Sequence, residues 1–291
     1  MVERSSNPVV TEHELSEIRV LIEQRSGIHF DESRERFFST RVREHMELKK
    51  HLFGAELLRT IRSSNVEYDS LLERLLTQET RFRRYPETFD ALERKIFPEM
   101  HMKKFWENPR ALRVWSAGCS TGEEPYSIAI SICDTVEFAE AWNIKILATD
   151  ISKQALTIAE RGVYSARVLD YLSPRQIDAY FQKIGDQYLV KPKVRSLVKF
   201  APMNLAQAVY VGRFDCIFCM NVLIYFSDEK RSQLIQRFFE YLEPGGYLFL
   251  GHAESAAGLP VKFNQIVHNG ARLLQKPTGG SVLTVGKEEM R

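Results

Sequence analysis

Two glutamates, Glu123 and Glu124, stand at the end of a small-residue loop, Gly118-Cys119-Ser120-Thr121-Gly122, which itself follows the apolar run Leu112 to Ala117. Apolar run, glycine loop and an apolar-periodic segment beyond Pro125 read as strand, turn and helix. That is the first half of a mononucleotide-binding βαβ unit, in which glycines let backbone approach a ligand closely. The loop is neither G-x-G-x-x-G nor G-x-x-x-x-G-K-[ST], because its two glycines are four apart and it holds no lysine. Paired carboxylates at a helix start suit the helix dipole but repel a phosphate. The ligand expected is therefore a nucleoside carrying positive charge, a description that S-adenosylmethionine fits. Glutamates also decorate many helix starts with no ligand near, so the reading leans on the rest of the chain.

Other residues with chemical potential fall at the ends of apolar runs. Asp150 closes the run Ile144 to Thr149, where such folds place an acid that hydrogen-bonds ribose hydroxyls. It lies further past the glycine loop than the usual ~20 residues, and N-capping the helix expected at Ser152 to Arg161 is its competing role. Asn204-Leu205 lie just past Val198 to Ala201, and the run Phe214 to Met220 delivers Asn221 to Phe226. Ligands of open α/β sheets sit beyond these carboxyl ends. Thr77 to Tyr85 carries Arg81, Arg83 and Arg84, a basic turn that either faces solvent or supplies planar guanidiniums to a carboxylate. His252 beside Glu254 invites an acid–base reading. Cys216 and Cys219 form a CxxC on a strand-like run, so they point to opposite faces and cannot share one zinc. With Cys119 and Cys133 they read as buried thiols of a reducing cytosol.

The elements that must position these residues fall into two parts. Residues 1–108 read as an all-helical N-terminal domain. Thr11 to Glu14 forms a capping box before Leu15, Ile18 and Ile22, and Gly27 ends that helix. A helix over Ser33 to Lys50 sets Phe38, Val42 and Met46 on one face, and Arg36, Arg43 and Lys50 on the other as a basic stripe. Such a stripe is either a solvated face or a dock for an acidic helix. Helices follow over Ala55 to Arg62, Tyr68 to Leu76 and from Pro86 to Ile96, with Asn108-Pro109-Arg110 as linker. Residues 109–277 alternate strands and helices, which predicts α/β architecture: a doubly wound, mostly parallel sheet of Rossmann-like type. A small β-excursion over about 162–197 interrupts it, with a helix over Ser173 to Gln182 and strands over Gln187 to Val190 and Lys193 to Leu197. Beyond a helix over Asp228 to Leu242, Glu243 to Gly246 reads as a turn. Phe263 to Val267 and Ala271 to Gln275 read as a hairpin through Asn269-Gly270, and 278–291 as a tail.

With 291 residues the chain has ample core for one large domain or two. A net charge of +2 is too small to argue for nucleic acid, and the polar start shows no signal peptide. No apolar run approaches the roughly 20 residues of a membrane helix.

Ser116 to Ser127, Asn221 to Phe226, and Pro244-Gly245-Gly246 with Gly251-His252-x-Glu254 together closely resemble the bacterial chemotaxis receptor methyltransferase family, over about Thr11 to Lys276. The resemblance implies S-adenosylmethionine as methyl donor and glutamate side chains of chemoreceptors as acceptors, giving glutamyl methyl esters and S-adenosylhomocysteine. It implies cofactor contacts on Gln78, Thr80, Arg84, Ala117, Gly118, Glu123, Asp150, Asn204, Leu205, Met220 and Asn221. It sets Arg84 and Tyr225 against the acceptor carboxylate and makes Arg36, Arg43 and Lys50 the receptor dock. It implies no metal, no nucleic acid and no membrane insertion, and a cytoplasmic protein, read as a monomer, that meets the cytoplasmic helical domain of a receptor. Three departures stand out. The family usually has Asn at Gln78, which could loosen cofactor binding, Phe at Arg83 and Arg at Met220, which alter charge near the site. The β-excursion resembles the shorter, tether-independent type. A methyltransferase for another acceptor and a non-enzymatic S-adenosylmethionine sensor are the rival readings.

A glutamate acceptor, with an unperturbed pKa near ~4.3, is already ionised at pH 7 and needs no general base. That demotes His252 and leaves alignment and water exclusion as the work of the site.

Overall fold

The computed structural model describes residues 8–107, 110–207, 211–255 and 261–278. The expected linker positions Asn108 and Pro109 and residues 279–291 of the expected tail lie outside them.

The amino-terminal segment is helical: α1 (Glu12–Ser26), a 3-10 turn (Glu32–Arg34), α2 (Glu35–Lys49), α3 (Gly54–Ser63) and α4 (Asn65–Leu75). Thr11 and Glu14 close the capping box of α1, and Gly27 ends it at φ 77°. Leu15, Ile18, Ile22, Phe38, Val42, Met46, Leu57 and Leu71 form the buried core of this bundle. The expected helix after Pro86 is longer than its pattern suggests. α5 (Pro86–Ala91) passes through a π turn (Leu92–Ile96) into α6 (Phe97–Lys104). Pro98 stands in the first turn of α6, where the helix returns to α geometry directly after the π turn.

From Ala111 onward strands and helices alternate: β1 (Ala111–Ala117), α7 (Glu123–Thr135), β2 (Asn143–Asp150), α8 (Lys153–Arg161), β3 (Val163–Ser165), α9 (Pro174–Tyr180), β4 (Phe181–Ile184), β5 (Gln187–Val190), α10 (Pro192–Arg195), β6 (Val198–Pro202), β7 (Phe214–Cys219), α11 (Asp228–Tyr241), β8 (Leu242–Leu250), β9 (Asn264–His268) and β10 (Ala271–Gln275). The main sheet runs β6-β2-β1-β7-β8-β10-β9. Its first five strands are parallel, and β10 is antiparallel to both neighbours. β7 is buried along its whole length, as a central strand covered on both faces must be. Phe218 stacks on Phe249 of β8 with ring centroids 4.2 Å apart. Cys119, Cys216 and Cys219 are buried and Cys133 half-buried, all as free thiols.

The β-excursion is a three-stranded antiparallel sheet, β3-β5-β4, but its composition differs from expectation. Lys193 to Leu197 is no strand: Pro192 starts the short α10 there. The partner of β5 is instead β4, across Gly185-Asp186. β4 takes the last residues of the expected helix, because Phe181 turns extended after α9. Glu243 to Gly246 likewise belongs to β8 rather than to a free turn, with a register shift against β7 between Phe214 and Cys216.

Candidate functional site

The strand order reverses at β1, with β2 on one side and β7 on the other. Beyond the carboxyl ends of these strands lies a cavity of about 280 Å³, roofed by Thr77 to Tyr85 and the end of α1. This is the switch-point crevice where open α/β sheets take ligands.

The glycine loop forms its floor. Gly118 and Cys119 donate their amides to the Thr149 carbonyl at 2.8 and 2.9 Å, tying β1 to β2. Gly118 has φ +90°, and a Cβ there would lie 2.4 Å from Val222 Cγ2, so only glycine fits. Ser120, at φ 49°, donates its amide to Asp150 Oδ2 at 2.7 Å. Ser120 lines the cavity, and its hydroxyl is buried with no hydrogen-bond partner among the described residues. Asp150 Oδ1 accepts from the Ser152 amide at 2.9 Å. The cap of α8 is Ser152, whose side chain accepts from Ala155 N. Asp150 is therefore not the cap. It braces both loops and shows the cavity a carboxyl that burial pushes up in pKa.

Gln78, Thr80, Arg84, Gly118, Asp150, Asn204, Leu205, Met220, Asn221 and Tyr225 all line this one cavity. Ala117 and Glu123 do not. Ala117 is buried in β1. Glu123 is buried as well, accepting from the Thr121 hydroxyl at 2.7 Å. The wall carboxyl is Glu124, which accepts from Ser116 Oγ at 2.7 Å. Desolvation, above all, pushes Glu124 up to about 7, with Glu254 raising it further while Ser116 and Arg84 pull it down. Adjacent helix positions face about 100° apart, and nothing in the paired spelling says which of the two glutamates turns inward.

A second role missed in the sequence is that of Glu254. It does not pair with His252. Its Oε2 accepts from the amides of Asn221 at 2.9 Å and Gly251 at 2.6 Å, and its Oε1 from Ile224 at 3.3 Å. It thereby holds Asn221 at φ 62°, with the side chain accepting from Tyr85 Oη at 2.6 Å. His252 instead meets Glu87 at 2.6 Å and packs on Tyr85, outside the cavity lining.

The helical segment contributes the roof. Gln78 Nε2 donates to Ser152 Oγ at 3.1 Å and to Glu73 at 3.3 Å, so its extra methylene is used to span α4 and the loop after β2. Asn204 Nδ2 donates to the Arg25 carbonyl at 3.0 Å. The Tyr225 carbonyl accepts from His29 N at 2.8 Å, its hydroxyl faces the Thr77 carbonyl at 3.5 Å, and the Arg34 guanidinium lies 5.0 Å from its ring centre. Arg84 Nη1 donates to the Glu79 carbonyl at 2.9 Å. Arg83 turns away from the cavity and pairs with Glu93.

On α2, Arg36 is exposed and Arg43 half-buried, and neither enters an ion pair among the described residues. Lys50 is exposed but ends the helix at φ 59°, so it leaves the line of the other two. No group of three or more His, Cys, Asp or Glu that could hold a metal ion is found among the described residues. No helix there is long and apolar enough to cross a membrane.

A glycine loop without a phosphate-binding lysine, an acid ending the second strand and carboxyls around a switch-point cavity are the features expected of an S-adenosylmethionine-dependent methyltransferase. The chain belongs to the family described as CheR methyltransferase, SAM binding domain, which matches residues 78–270. It is 35% identical over 263 residues to chemotaxis protein methyltransferase Cher2 of Pseudomonas putida, covering 87% of this chain and 94% of that one. It is 34% identical over 256 residues to chemotaxis protein methyltransferase 1 of Pseudomonas aeruginosa, covering 85% and 92%. With chemotaxis protein methyltransferase 2 of Vibrio cholerae it shares 32% over 277 residues, covering 93% of each. The protein is a methyltransferase of chemotaxis that uses S-adenosylmethionine.

Proposed function

We propose that the protein methylates glutamate side-chain carboxylates of chemoreceptors, forming glutamyl methyl esters and releasing S-adenosylhomocysteine. What supports this most is a single cavity lined at once by Arg84, Tyr225, Asp150, Asn221 and the glycine loop, with no cysteine or histidine among the described residues that line it beyond Cys119, whose thiol is buried. Burial holds that thiol well above its ordinary pKa, so it stays protonated.

The residues fit the ligand. The Asp150 carboxyl, the unpartnered Ser120 hydroxyl and the bare backbone at Gly118 suit a nucleoside. Glu124 suits a cation and repels a phosphate. When bound, S-adenosylmethionine supplies an electrophilic methyl group. Ser120, Asp150 and Asn204 would hold it, and Glu124 would balance its charge. Arg84 and the Tyr225 hydroxyl orient the acceptor carboxylate, which is already ionised and gives up no proton. The helical roof excludes water from that nucleophile. Arg84 must hold it loosely, since the acceptor loses its charge as the bond forms and tight ionic binding would favour the ground state. The step uses no metal and no base, in keeping with His252 being held by Glu87.

In this reading residues 1–108 form the receptor-docking domain, with Arg36 and Arg43 facing an acidic receptor helix and Lys50 reaching it from the end of α2, and 109–277 form the transfer domain with its subdomain at about 162–197. The protein acts as a cytoplasmic monomer on the cytoplasmic helical part of the receptor. The test is transfer of a labelled methyl from S-adenosylmethionine to receptor-rich membranes. Incorporation that alkali releases as methanol is expected. Cofactor binding without such incorporation would favour another acceptor or a sensor.

A further inference from the structure

The turn that carries Arg84 is fixed by an arginine that does not face the cavity. Arg83 lies at φ 50°, a left-handed conformation that costs a side-chain-bearing residue on the order of 1 kcal/mol. Its amide donates to Ser127 Oγ at 3.0 Å, in the first turns of α7, the helix that opens with Glu123 and Glu124. Its guanidinium forks onto Glu93, the second contact running from Nη2 to Oε2 at 3.3 Å, and its carbon lies 5.2 Å from the Phe89 ring centre. Glu93 also accepts from Ser131 Oγ at 2.7 Å, and it sits in the π turn. That turn departs from α geometry in the very stretch that carries the arginine's partner. The pair is shielded, with side-chain exposures of 12% and 22%. On the other flank Phe82 is fully buried between Tyr164 and Phe181.

We propose that Arg83 and Glu93 form a positioning pair that sets the direction of Arg84. The inference rests on Arg84 acting in the cofactor and acceptor site. Three arginines in four positions repel one another, and Glu93 removes one of them from that contest. Without Glu93 the Arg83 charge has no carboxylate partner among the described residues, and the left-handed turn loses the contact that offsets its cost. The turn then relaxes and Arg84 loses its aim, while the fold, held by Phe82 and the sheet, remains.

The experiment is calorimetric binding of S-adenosylhomocysteine to four proteins: wild type, Arg83→Met, Arg84→Ala and the double variant. Arg83→Met is expected to weaken binding about tenfold, as for a lost charge-assisted contact, and to change the affinity of the Arg84→Ala protein less than twofold. Arg83→Lys, which keeps a single contact to Glu93, should recover part of the loss. Equal weakening in both backgrounds, or none in wild type, would overturn the positioning role. An Arg84→Ala protein that binds as well as wild type would instead strike at the assignment of Arg84 itself. Circular dichroism reports folding. If Arg83→Met fails to fold, Glu93→Gln, which keeps the Ser131 bond, carries the same cycle with the same criterion.

Discussion

Glu124 links the pH of the medium to the charge of the cavity, and its effect can be sized. Its carboxyl is pushed from 4.5 up to about 7, chiefly by desolvation. A cation seated in the same cavity favours the ionised form. If binding returns the group to its ordinary 4.5, linkage makes S-adenosylmethionine bind about tenfold more tightly near pH 8 than near pH 6. S-adenosylhomocysteine has no sulfonium and should show a smaller rise. Glu124→Gln should remove the difference between the two ligands. The assay is titration calorimetry of both ligands across this range, wild type against variant. Identical pH profiles for wild type and Glu124→Gln would rule out Glu124 as the titrating group. The same shift has a sign for stability. Between about 4.5 and 7 the folded protein keeps a proton that the unfolded chain releases, so stability falls as pH rises through that window. The gap between 4.5 and about 7 corresponds to a ceiling of about 3 kcal/mol, which solvent screening of this half-buried side chain reduces. Glu124→Gln should therefore melt at a higher temperature than wild type above pH 7 and at a similar one near pH 4.

Three further outcomes are expected. Tyr225→Phe removes the hydroxyl but keeps the ring beside Arg34, and should lower turnover about tenfold while S-adenosylhomocysteine affinity changes less than twofold; equal loss in both would refute the division of labour. Gly118→Ala, at φ +90° and 2.4 Å from Val222, should cost about 1–3 kcal/mol in urea unfolding, and a paired Val222→Ala should return part of it. Changing Arg36, Arg43 and Lys50 together to Ala should flatten the salt dependence of KM for receptor membranes; an unchanged slope would return them to plain surface.

The parts of the fold written as strong local signals were legible in the sequence. Capping residues, the apolar runs of the parallel strands and the Asn269-Gly270 hairpin all lie where their chemistry requires. The errors arose where one residue overrides a pattern. Pro192 converts an alternating run into a helical turn, and a π turn carries a helix past Ile96. In the site, the strand ends named their own residues, because the carboxyl end of a parallel strand is a fixed place. Which of Glu123 and Glu124 faces inward depends on helix rotation, and the partner of Glu254 depends on a loop path. Neither has a local signature. Arg83 is the sharpest case: as a departure it suggested altered charge at the cavity, and its fork onto Glu93 removes that charge from it.

The identity of the acceptor atom separates a carboxylate methyltransferase from its rivals. Mapping labelled methyl groups in digests of receptor incubated with the protein and S-adenosylmethionine tests it most directly. Methyl esters on glutamate side chains of the receptor's helical segment are expected. Methylation confined to nitrogen or sulfur atoms, or none at all by a protein that binds S-adenosylmethionine, would contradict it.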